Sequence, residues 1–290
     1  MPEIDLDALT FRPLTEAELK TSVDWAAAEG WNPGLHDAEV FWRTDPEGYI
    51  GAELDGELVA TGSIVSYGGR YGFMGLFIVR SDLRGSGIGT RLWFHRRDTL
   101  LKRLESGAAI GMDGVFEMQD WYAKGGFKFS HRNLRMQGKG AASEAPAAGV
   151  VPLAEVDAGE LADFDTTHFG VPRPSFLAAW RELPDSRGRG FVENGRLRGY
   201  GVIRRCREGH KIGPLFAQTP EVAEALFVAL SATAAGEAIW LDIPENNPAA
   251  VALAERHGLT EVFGCARMYH GEPPAMPWSE IYGVTTFELG

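Results

Sequence analysis

Apolar and polar residues along the first half of the chain have spacings that predict helices and strands in turn. Thr15 and Glu18 have the spacing of a capping box, and they open an amphipathic helix that Gly30 ends. A second, short helix follows over residues 37–43. The next elements are two strands joined by a tight turn (49–54 and 57–67), a third strand (70–79) and a long helix (88–106). The last three are a strand (108–115), a short helix (117–125) and a final strand (127–137). Residues 70–79 are almost wholly apolar, which predicts one central strand.

The second half of the chain repeats this order of elements. The turn at Asn194-Gly195 corresponds to the turn at Asp55-Gly56, and residues 254–259 correspond to residues 122–127. The offsets between matched features stay between about 130 and 140 residues and keep the same order. A duplicated fold explains this regularity better than two unrelated domains do.

The composition changes at residues 138–149, a stretch of small residues and proline without a large apolar side chain. Such a stretch cannot contribute to a core and is typical of a linker. We therefore predict a first domain over residues 1–137, a linker over residues 138–149 and a second domain over residues 150–290. A length of 290 residues is sufficient for two domains of this size.

The net charge and the cysteine content limit the partners. A net charge of −12 argues against nucleic acid, because phosphate binding needs a basic face. Cys206 and Cys265 are far apart and the histidines are scattered, so we assign no disulfide framework and no metal. The chain begins with acidic and polar residues and has no run of about 18 apolar residues, so we expect a reduced, cytoplasmic protein without a membrane partner.

The glycine-rich turn Arg84–Gly89, with the sequence RGSGIG, lies between the apolar strand and the long helix. It lacks the lysine of a P-loop, and its glycine spacing and its neighbouring elements differ from those of a dinucleotide fold. The pyrophosphate of coenzyme A fits better, since glycines let the backbone approach an anion that the start of a helix attracts. A tight turn without any ligand remains an alternative.

The surroundings of this turn resemble the GNAT superfamily of acyl-CoA-dependent N-acyltransferases over residues of about 10 to 137. The residues that carry the resemblance are Arg84, Gly87, Gly89, Tyr122, Gly126 and Phe127. Val115 departs from the pattern, because many members have an asparagine there. The layout of the whole chain is similar to that of the tandem-GNAT bacterial acetyltransferases of the YitH-like type. The resemblance implies an α/β (α+β) protein of two GNAT-like domains, each with a mixed, mostly antiparallel sheet flanked by helices.

The second copy lacks the features that the resemblance links to the cofactor. It has Asn247 at the position where the first copy has Val115, but Ala254 replaces the tyrosine. Its corresponding helix begins with Thr219-Pro220, an ordinary cap, instead of a glycine-rich turn. We therefore predict that the second domain is a degenerate GNAT-like domain and that the first domain alone is catalytic.

The resemblance implies acetyl-CoA as the cofactor, with its pantetheine paired to the backbone of the strand that ends at Val79. The cofactor-binding residues predicted in this way are Phe77, Ile78, Val79, Arg84, Gly85, Ser86, Gly87, Ile88, Gly89, Thr90 and Tyr122. Tyr122 is also implied as the acid that protonates the departing thiolate; its alternative role is that of a core tyrosine.

The residue that deprotonates the acceptor is less defined. The strand before the glycine turn has no acidic residue, so we predict Asp113 as the base, with Glu117 as a weaker candidate. Asp113 could instead cap the following helix, and water could mediate the proton transfer.

The loop between the first two helices borders the acceptor site in GNAT folds. Trp31, Asn32 and Asp37 are therefore candidate substrate-binding residues, and Gln119 shares a helix face with Tyr122. Core packing by the tryptophan and helix capping by Asp37 explain these residues equally well. In the second domain, Phe169, Arg173 and Trp180 could face the cleft or pack in the core.

We expect an N-acetyltransferase that moves an acetyl group from acetyl-CoA to a primary amine by direct attack in a ternary complex. The acceptor would be a small-molecule or peptide amine, and the protein would be a monomer or a homodimer. The alternative is a non-catalytic acyl-CoA-binding module that regulates a partner, and a preference for longer acyl chains also stays open.

Overall fold

The computed structural model describes residues 5–143 and 146–290. The helices of the first half are α1 (Glu16–Ala28), α2 (Asp37–Thr44), α3 (Ile88–Arg103) and α4 (Gln119–Lys124). Its strands are β1 (Thr10–Pro13), β2 (Tyr49–Leu54), β3 (Glu57–Ser63), β4 (Val65–Tyr67), β5 (Tyr71–Met74), β6 (Ile78–Val79), β7 (Ala109–Val115) and β8 (Lys128–Lys139).

The second half contains β9 (Val150–Pro152), α5 (Ala158–Phe169), α6 (Pro174–Arg181), β10 (Ser186–Glu193), β11 (Arg196–Arg205), β12 (His210–Ala217), α7 (Pro220–Ser231), β13 (Ala238–Pro244), α8 (Pro248–Arg256), β14 (Thr260–His270) and β15 (Ile281–Gly283). The repeated order of elements in the two halves confirms the predicted α/β fold of two related domains. No helix in the part of the chain that the structure describes is both long and apolar enough to cross a membrane.

Local sequence signals at the ends of elements are confirmed. Thr15 accepts from the backbone of Glu18 while the Glu18 side chain accepts from the backbone of Thr15, which is the reciprocal pattern of a capping box. Asp55 and Gly56 both adopt left-handed φ angles, 51° and 81°, as a two-residue hairpin turn requires. These features depend on neighbours in sequence, so the sequence is sufficient to predict them.

The prediction of one strand over residues 70–79 is wrong. The strand stops after Met74, Leu76 adopts a φ of 46°, and β6 resumes in a different sheet. The end of the chain occupies the place where the strand would continue, because a Cβ on Gly75 would lie 2.2 Å from the carbonyl oxygen of Glu288. The predicted strand 57–67 is also interrupted, because β3 belongs to one sheet and β4 to the other.

Arg96 of α3 stabilises the point where these strands diverge. Its Nη2 donates to the carbonyl oxygens of Ser63, at 2.6 Å, and of Gly75, at 2.8 Å. Both carbonyls belong to the interrupted strands, and buried carbonyls without a partner would be costly. The first half is therefore split into a four-stranded sheet, in the order β1-β2-β3-β6, and a larger sheet that contains β4 and β5.

The larger sheet has 11 strands and runs through both halves. Its order is β4-β5-β7-β14-β8-β13-β12-β11-β10-β9, and β15 also pairs with β12. Strand β14 of the second half lies between β7 and β8 of the first half, and β8 pairs with β13 of the second half. The last strands of the two copies are thus exchanged, and neither copy has a complete sheet of its own.

The segment that we predicted as a linker takes part in this exchange at its start. Gly138 and Lys139 are the last residues of β8 and lie opposite Ile239 and Ala238. Residues 144 and 145 of the predicted linker lie outside the described residues.

Candidate active site

Two adjoining cavities open where β5 and β6 diverge. The outer cavity, of about 550 Å³, lies against β6 and the start of α3, and the inner cavity, of about 450 Å³, lies against β7 and α4. They share the lining residues Trp31, Phe77, Arg84 and Met118. The two cavities therefore form one continuous site with two compartments.

The glycine turn lines the outer cavity mainly with residues that have no side chain. Gly85, Gly87, Gly89 and Thr90 line it, whereas Ile88 is fully buried in the core and anchors α3. Gly87 has a φ of 96°, which only glycine adopts readily. No side chain caps α3 through this residue, so amides of the first helical turn have no partner within the helix. Such a turn fits an anionic phosphate group.

Arg84 and Ser86 shape this turn from its two ends. The Nε of Arg84 donates to the carbonyl of Val79 at 3.0 Å, and its Nη2 pairs with Glu29. The hydroxyl of Ser86 donates to the carbonyl of Leu83 at 2.6 Å, so this side chain holds the turn and does not line the cavity.

Strand β6 offers a free edge next to the turn. It pairs with β3 on one side through Ile78 and Val79, and it is the last strand of its sheet. Phe77, Ile78 and Val79 all line the outer cavity. An unpaired strand edge can accept an extended ligand as an additional strand. Together with the glycine turn, this edge fits an extended molecule that ends in phosphate groups, as coenzyme A does.

Tyr122 of α4 lines the inner cavity. The Tyr122 ring packs on Trp93 at a centroid distance of 6.2 Å, and a Cβ on Gly114 would lie 2.3 Å from it. Burial raises the pKa of Tyr122 to about 12, and the nearby Arg96 opposes this shift. The hydroxyl makes no hydrogen bond to any of the residues that the structure describes, so a protonated phenol is available to a ligand.

Asp113 does not have the free carboxylate that the predicted role of base requires. It forms a bidentate salt bridge with Arg267 of β14, at 2.8 and 2.7 Å, and Asn133 of β8 donates to it at 2.8 Å. It does not cap α4 either, since the residue before that helix is Met118. Asp113 joins the exchanged strands, and it borders the cavity without a free oxygen for a substrate proton.

The loop after α1 contributes Trp31 to both cavities, but its two polar candidates face elsewhere. The side chain of Asn32 exchanges two hydrogen bonds with the backbone of Glu208 in the second half, at 3.0 and 2.9 Å. Asp37 is fully buried and pairs with Arg204 of β11 at 2.9 Å. Burial alone would raise the pKa of Asp37, but the charge of Arg204 and its hydrogen bonds outweigh burial and lower it. These residues fix the loop to the second half.

The helix that carries Tyr122 contributes less to the cavities than predicted. Gln119 and Glu117 line neither compartment, and Met118 lies between them and lines both. Helical spacing places Gln119 near Tyr122, but this proximity does not bring Gln119 to the wall of either compartment.

Residues of the second half complete the inner cavity, and the sequence does not predict them. Phe263 and Cys265 come from β14, and Phe287 and Glu288 come from the final segment. The three residues that we considered in this half, Phe169, Arg173 and Trp180, are instead buried core residues, and Arg173 pairs with Asp165. No local pattern around Glu288 marks it, because only the exchange of strands brings it to the cleft.

The start of α7 in the second copy differs from the start of α3 in the first. Thr219 caps α7, whose first residue is Pro220, and no glycine turn is present there. Asn247 caps α8 and donates to the carbonyl of Ile281 at 2.9 Å, so it has a structural role. That the second domain does not bind the cofactor stays a prediction.

A backbone cradle for phosphates, a free strand edge and a protonated phenol in a connected chamber define an acyl-CoA-dependent acyltransferase. Profile comparisons match residues 14–127 to the acetyltransferase (GNAT) family and residues 161–283 to an acetyltransferase (GNAT) domain. A relative named holothin acyltransferase, from Pseudoalteromonas sp. (strain SANK 73390), is 31% identical over 97% of this chain and 94% of its own length. The chain belongs to the GNAT acetyltransferase family and contains two GNAT domains.

Solved structures agree with this fold along the whole chain. A proposed acetyltransferase from Pyrococcus horikoshii superposes with a TM-score of 0.84 at 23% identity, covering 100% of this chain and 99% of its own. A tandem GNAT protein from the clavulanic acid biosynthesis pathway superposes with a TM-score of 0.63 at 15% identity, covering 92% and 99%. At these identities the likeness concerns the fold alone.

Proposed function

We propose that the protein transfers an acetyl group from acetyl-CoA to a primary amine by direct attack in a ternary complex. The observation that carries this proposal is the protonated Tyr122 hydroxyl in the inner compartment, which has no hydrogen-bond partner among the described residues. The outer compartment would hold the donor through the backbone of Gly85–Thr90 and of β6. When bound, acetyl-CoA supplies an activated thioester and a thiolate leaving group.

Tyr122 would donate its proton to the departing sulfur. A phenol with a pKa of about 12 stays protonated at neutral pH, so its proton is present when the carbon–sulfur bond breaks. A positioned acid of this kind contributes about 10²- to 10⁴-fold to a rate. The phenolate would then recover a proton from the nitrogen of the new amide, directly or through water, so that protons balance.

The chamber favours direct transfer over an acyl-enzyme intermediate. Cys265 is the cysteine that lines the inner cavity, and burial raises the pKa of its thiol well above the ordinary value. A thiol is a much weaker nucleophile than a thiolate. A second compartment that adjoins the donor site also argues against a module that only senses acyl-CoA, because a sensor needs no acceptor chamber.

The test is a thiol-release assay with acetyl-CoA and a panel of amines: aromatic amines, amino acids, polyamines, aminoglycosides, peptides and holothin, the acceptor in the name of the relative. We expect release that depends on one class of amine, and a loss of about 10²-fold or more in kcat for Tyr122→Phe with unchanged acetyl-CoA binding. Tyr282→Phe, which removes a buried hydroxyl outside the cleft, is the control. Full turnover by Tyr122→Phe, or the absence of release with every amine, would contradict the proposal.

A further inference from the structure

Glu288 is a buried carboxylate that no other group binds. The residue is 4% exposed and lines the inner cavity. Its side chain forms no hydrogen bond or salt bridge with any residue that the structure describes, although its backbone carbonyl contacts Ser63 at 3.4 Å. The positive charges of Arg135, Arg204 and Lys211 offset part of the cost of burying this carboxylate. None of them forms a salt bridge with it in the described structure, so its oxygens are free to bind a ligand.

The cations near Glu288 make their hydrogen bonds with other groups, although Nη1 of Arg204 has no partner among the described residues. Arg135 donates twice to Asp242, at 2.7 Å each, and once to the carbonyl of Trp31. Arg204 is paired with Asp37, as described above. Lys211 contacts the carbonyl of Trp31 at 3.5 Å. Of the acidic side chains around the chamber, Asp113 is bound to Arg267, which leaves Glu288 as the one with free oxygens in the described cavity.

Glu288 and Tyr122 line the same compartment, one from each half of the chain, and Cys265 lines it with them. Burial is the main cause that raises the pKa of Cys265 well above its ordinary value, so this neighbour is a neutral thiol that offers Glu288 no counter-charge. The described wall of the compartment thus has one carboxylate with free oxygens and one phenol.

Most of the remaining lining residues of this compartment are apolar or aromatic. Its other charged residues, Arg84, Arg96, Arg135 and Asp113, are bound to protein groups. Trp31, Phe77, Phe263 and Phe287 line it, and its volume of about 450 Å³ is near the lower end of small-molecule sites. Aromatic faces hold flat apolar groups and attract cations. They offer few partners to a molecule with many hydroxyl or ammonium groups.

We propose that Glu288 binds the ammonium group of the acceptor and takes its proton, and that the surrounding aromatic residues restrict the acceptor to compact, aromatic or apolar primary amines. This inference rests on the proposed acetyl transfer. One N–H bond of the ammonium breaks and one O–H bond forms on Glu288, which leaves a neutral amine with a free electron pair. Glu288 later releases this proton to solvent. Tyr122 donates the proton that the departing sulfur receives.

The experiment compares Glu288→Gln with the wild-type enzyme on two acceptors of similar size, benzylamine and aniline. Benzylamine is protonated at neutral pH and needs a base, whereas aniline is already neutral. We expect kcat/KM to fall about 10²-fold or more for benzylamine and less than tenfold for aniline. Raising the pH should recover part of the loss with benzylamine, and Glu288→Asp should retain more activity than Glu288→Gln. Glu272→Gln, an exposed residue beyond β14, is the matched control and should behave as wild type.

Each outcome bears on either the inference or the proposed function. Equal losses with benzylamine and aniline would show a structural role for Glu288 and would overturn the inference, as would full activity of Glu288→Gln. Wild-type turnover of spermidine or kanamycin, but of neither aromatic amine, would overturn the acceptor class while it left acetyl transfer intact. Absence of turnover with every amine would contradict the proposed function itself. Thermal melting and acetyl-CoA titration of both variants establish that they fold and hold the donor.

Discussion

Replacing Asp113 by asparagine tests whether this residue stabilises the fold through its salt bridge or acts as the catalytic base. The carboxylate is fully buried, Arg267 is 4% exposed, and their bidentate contact joins β7 of one half to β14 of the other. Asp113→Asn keeps the size of the side chain but removes its charge. Arg267 would then stay buried with a weak contact to the hydroxyl of Tyr269, at 3.4 Å, and no carboxylate.

The expected cost follows from the burial of both partners. Breaking a buried ion pair by removing one partner costs about 3–5 kcal/mol, because the other charge remains uncompensated. At roughly 2 °C per kcal/mol for a chain of this size, the melting temperature should fall by about 6–10 °C. Urea denaturation and calorimetry of Asp113→Asn measure this loss. The double variant Asp113→Leu with Arg267→Met should recover most of it, since no buried charge is left.

Activity measurements on the same variant decide whether Asp113 also acts in catalysis. Because both of its oxygens are engaged, the folded fraction of Asp113→Asn should keep kcat within about tenfold and an unchanged pH profile. A variant with wild-type stability but a loss of 10²-fold or more in kcat would refute this reasoning. That result would return Asp113 to the role of base.

Four further results are expected. Gly114→Ala places a methyl 2.3 Å from the Tyr122 ring, so it should lower the free energy of unfolding by about 1–3 kcal/mol and also lower kcat. Gly111→Ala, the control, places a methyl 2.0 Å from the hydroxyl of Tyr71 and should lower the stability alone. Gly87→Val forces a branched residue to a φ of 96° and should weaken acetyl-CoA binding at least tenfold by calorimetry. Burial, together with the charge of Arg267, lowers the pKa of His131 from 6.5 to about 3. Between these pH values the unfolded chain binds a proton that the folded chain does not, so the stability falls as the pH drops from 6.5 toward 3. His131→Gln should flatten this decline in urea titrations at about pH 4–7. Because the last strands are exchanged, tryptophan fluorescence and circular dichroism should report one shared unfolding transition, and two separate transitions would contradict this expectation.

The elements that depend on neighbours in sequence could be predicted, and those that depend on distant contacts could not. The capping box at Thr15, the hairpin at Asp55-Gly56 and the start of α3 are local. The break within residues 70–79 is not, since it depends on the approach of Glu288 to Gly75. An apolar run without this contact would have continued as a strand.

The same distinction applies to the site. The donor compartment is built from one continuous turn and the neighbouring strand, so a motif can mark it. The inner compartment depends on contacts between residues that are far apart in sequence. Asp113, which lines it, pairs with Arg267, 154 positions away, and Asn32, which holds the loop of Trp31, pairs with Glu208, 176 positions away. Their residue types allow several roles, and only the topology of the sheet decides between them.

The exchange of strands gives the second half a role that does not require its own donor site. It supplies β14, which holds Asp113 and carries Phe263 and Cys265 into the inner cavity, and it anchors the loop that carries Trp31. None of these contacts involves the start of α7, where a glycine turn of the second copy would lie. The inner cavity therefore forms without such a turn. Because the donor compartment belongs to the first half, substitutions in β14 or in the final segment can change the acceptor while the donor contacts stay the same. Under the proposed function, this division of the site between the two copies would allow acceptor selectivity to vary independently of acyl-CoA binding.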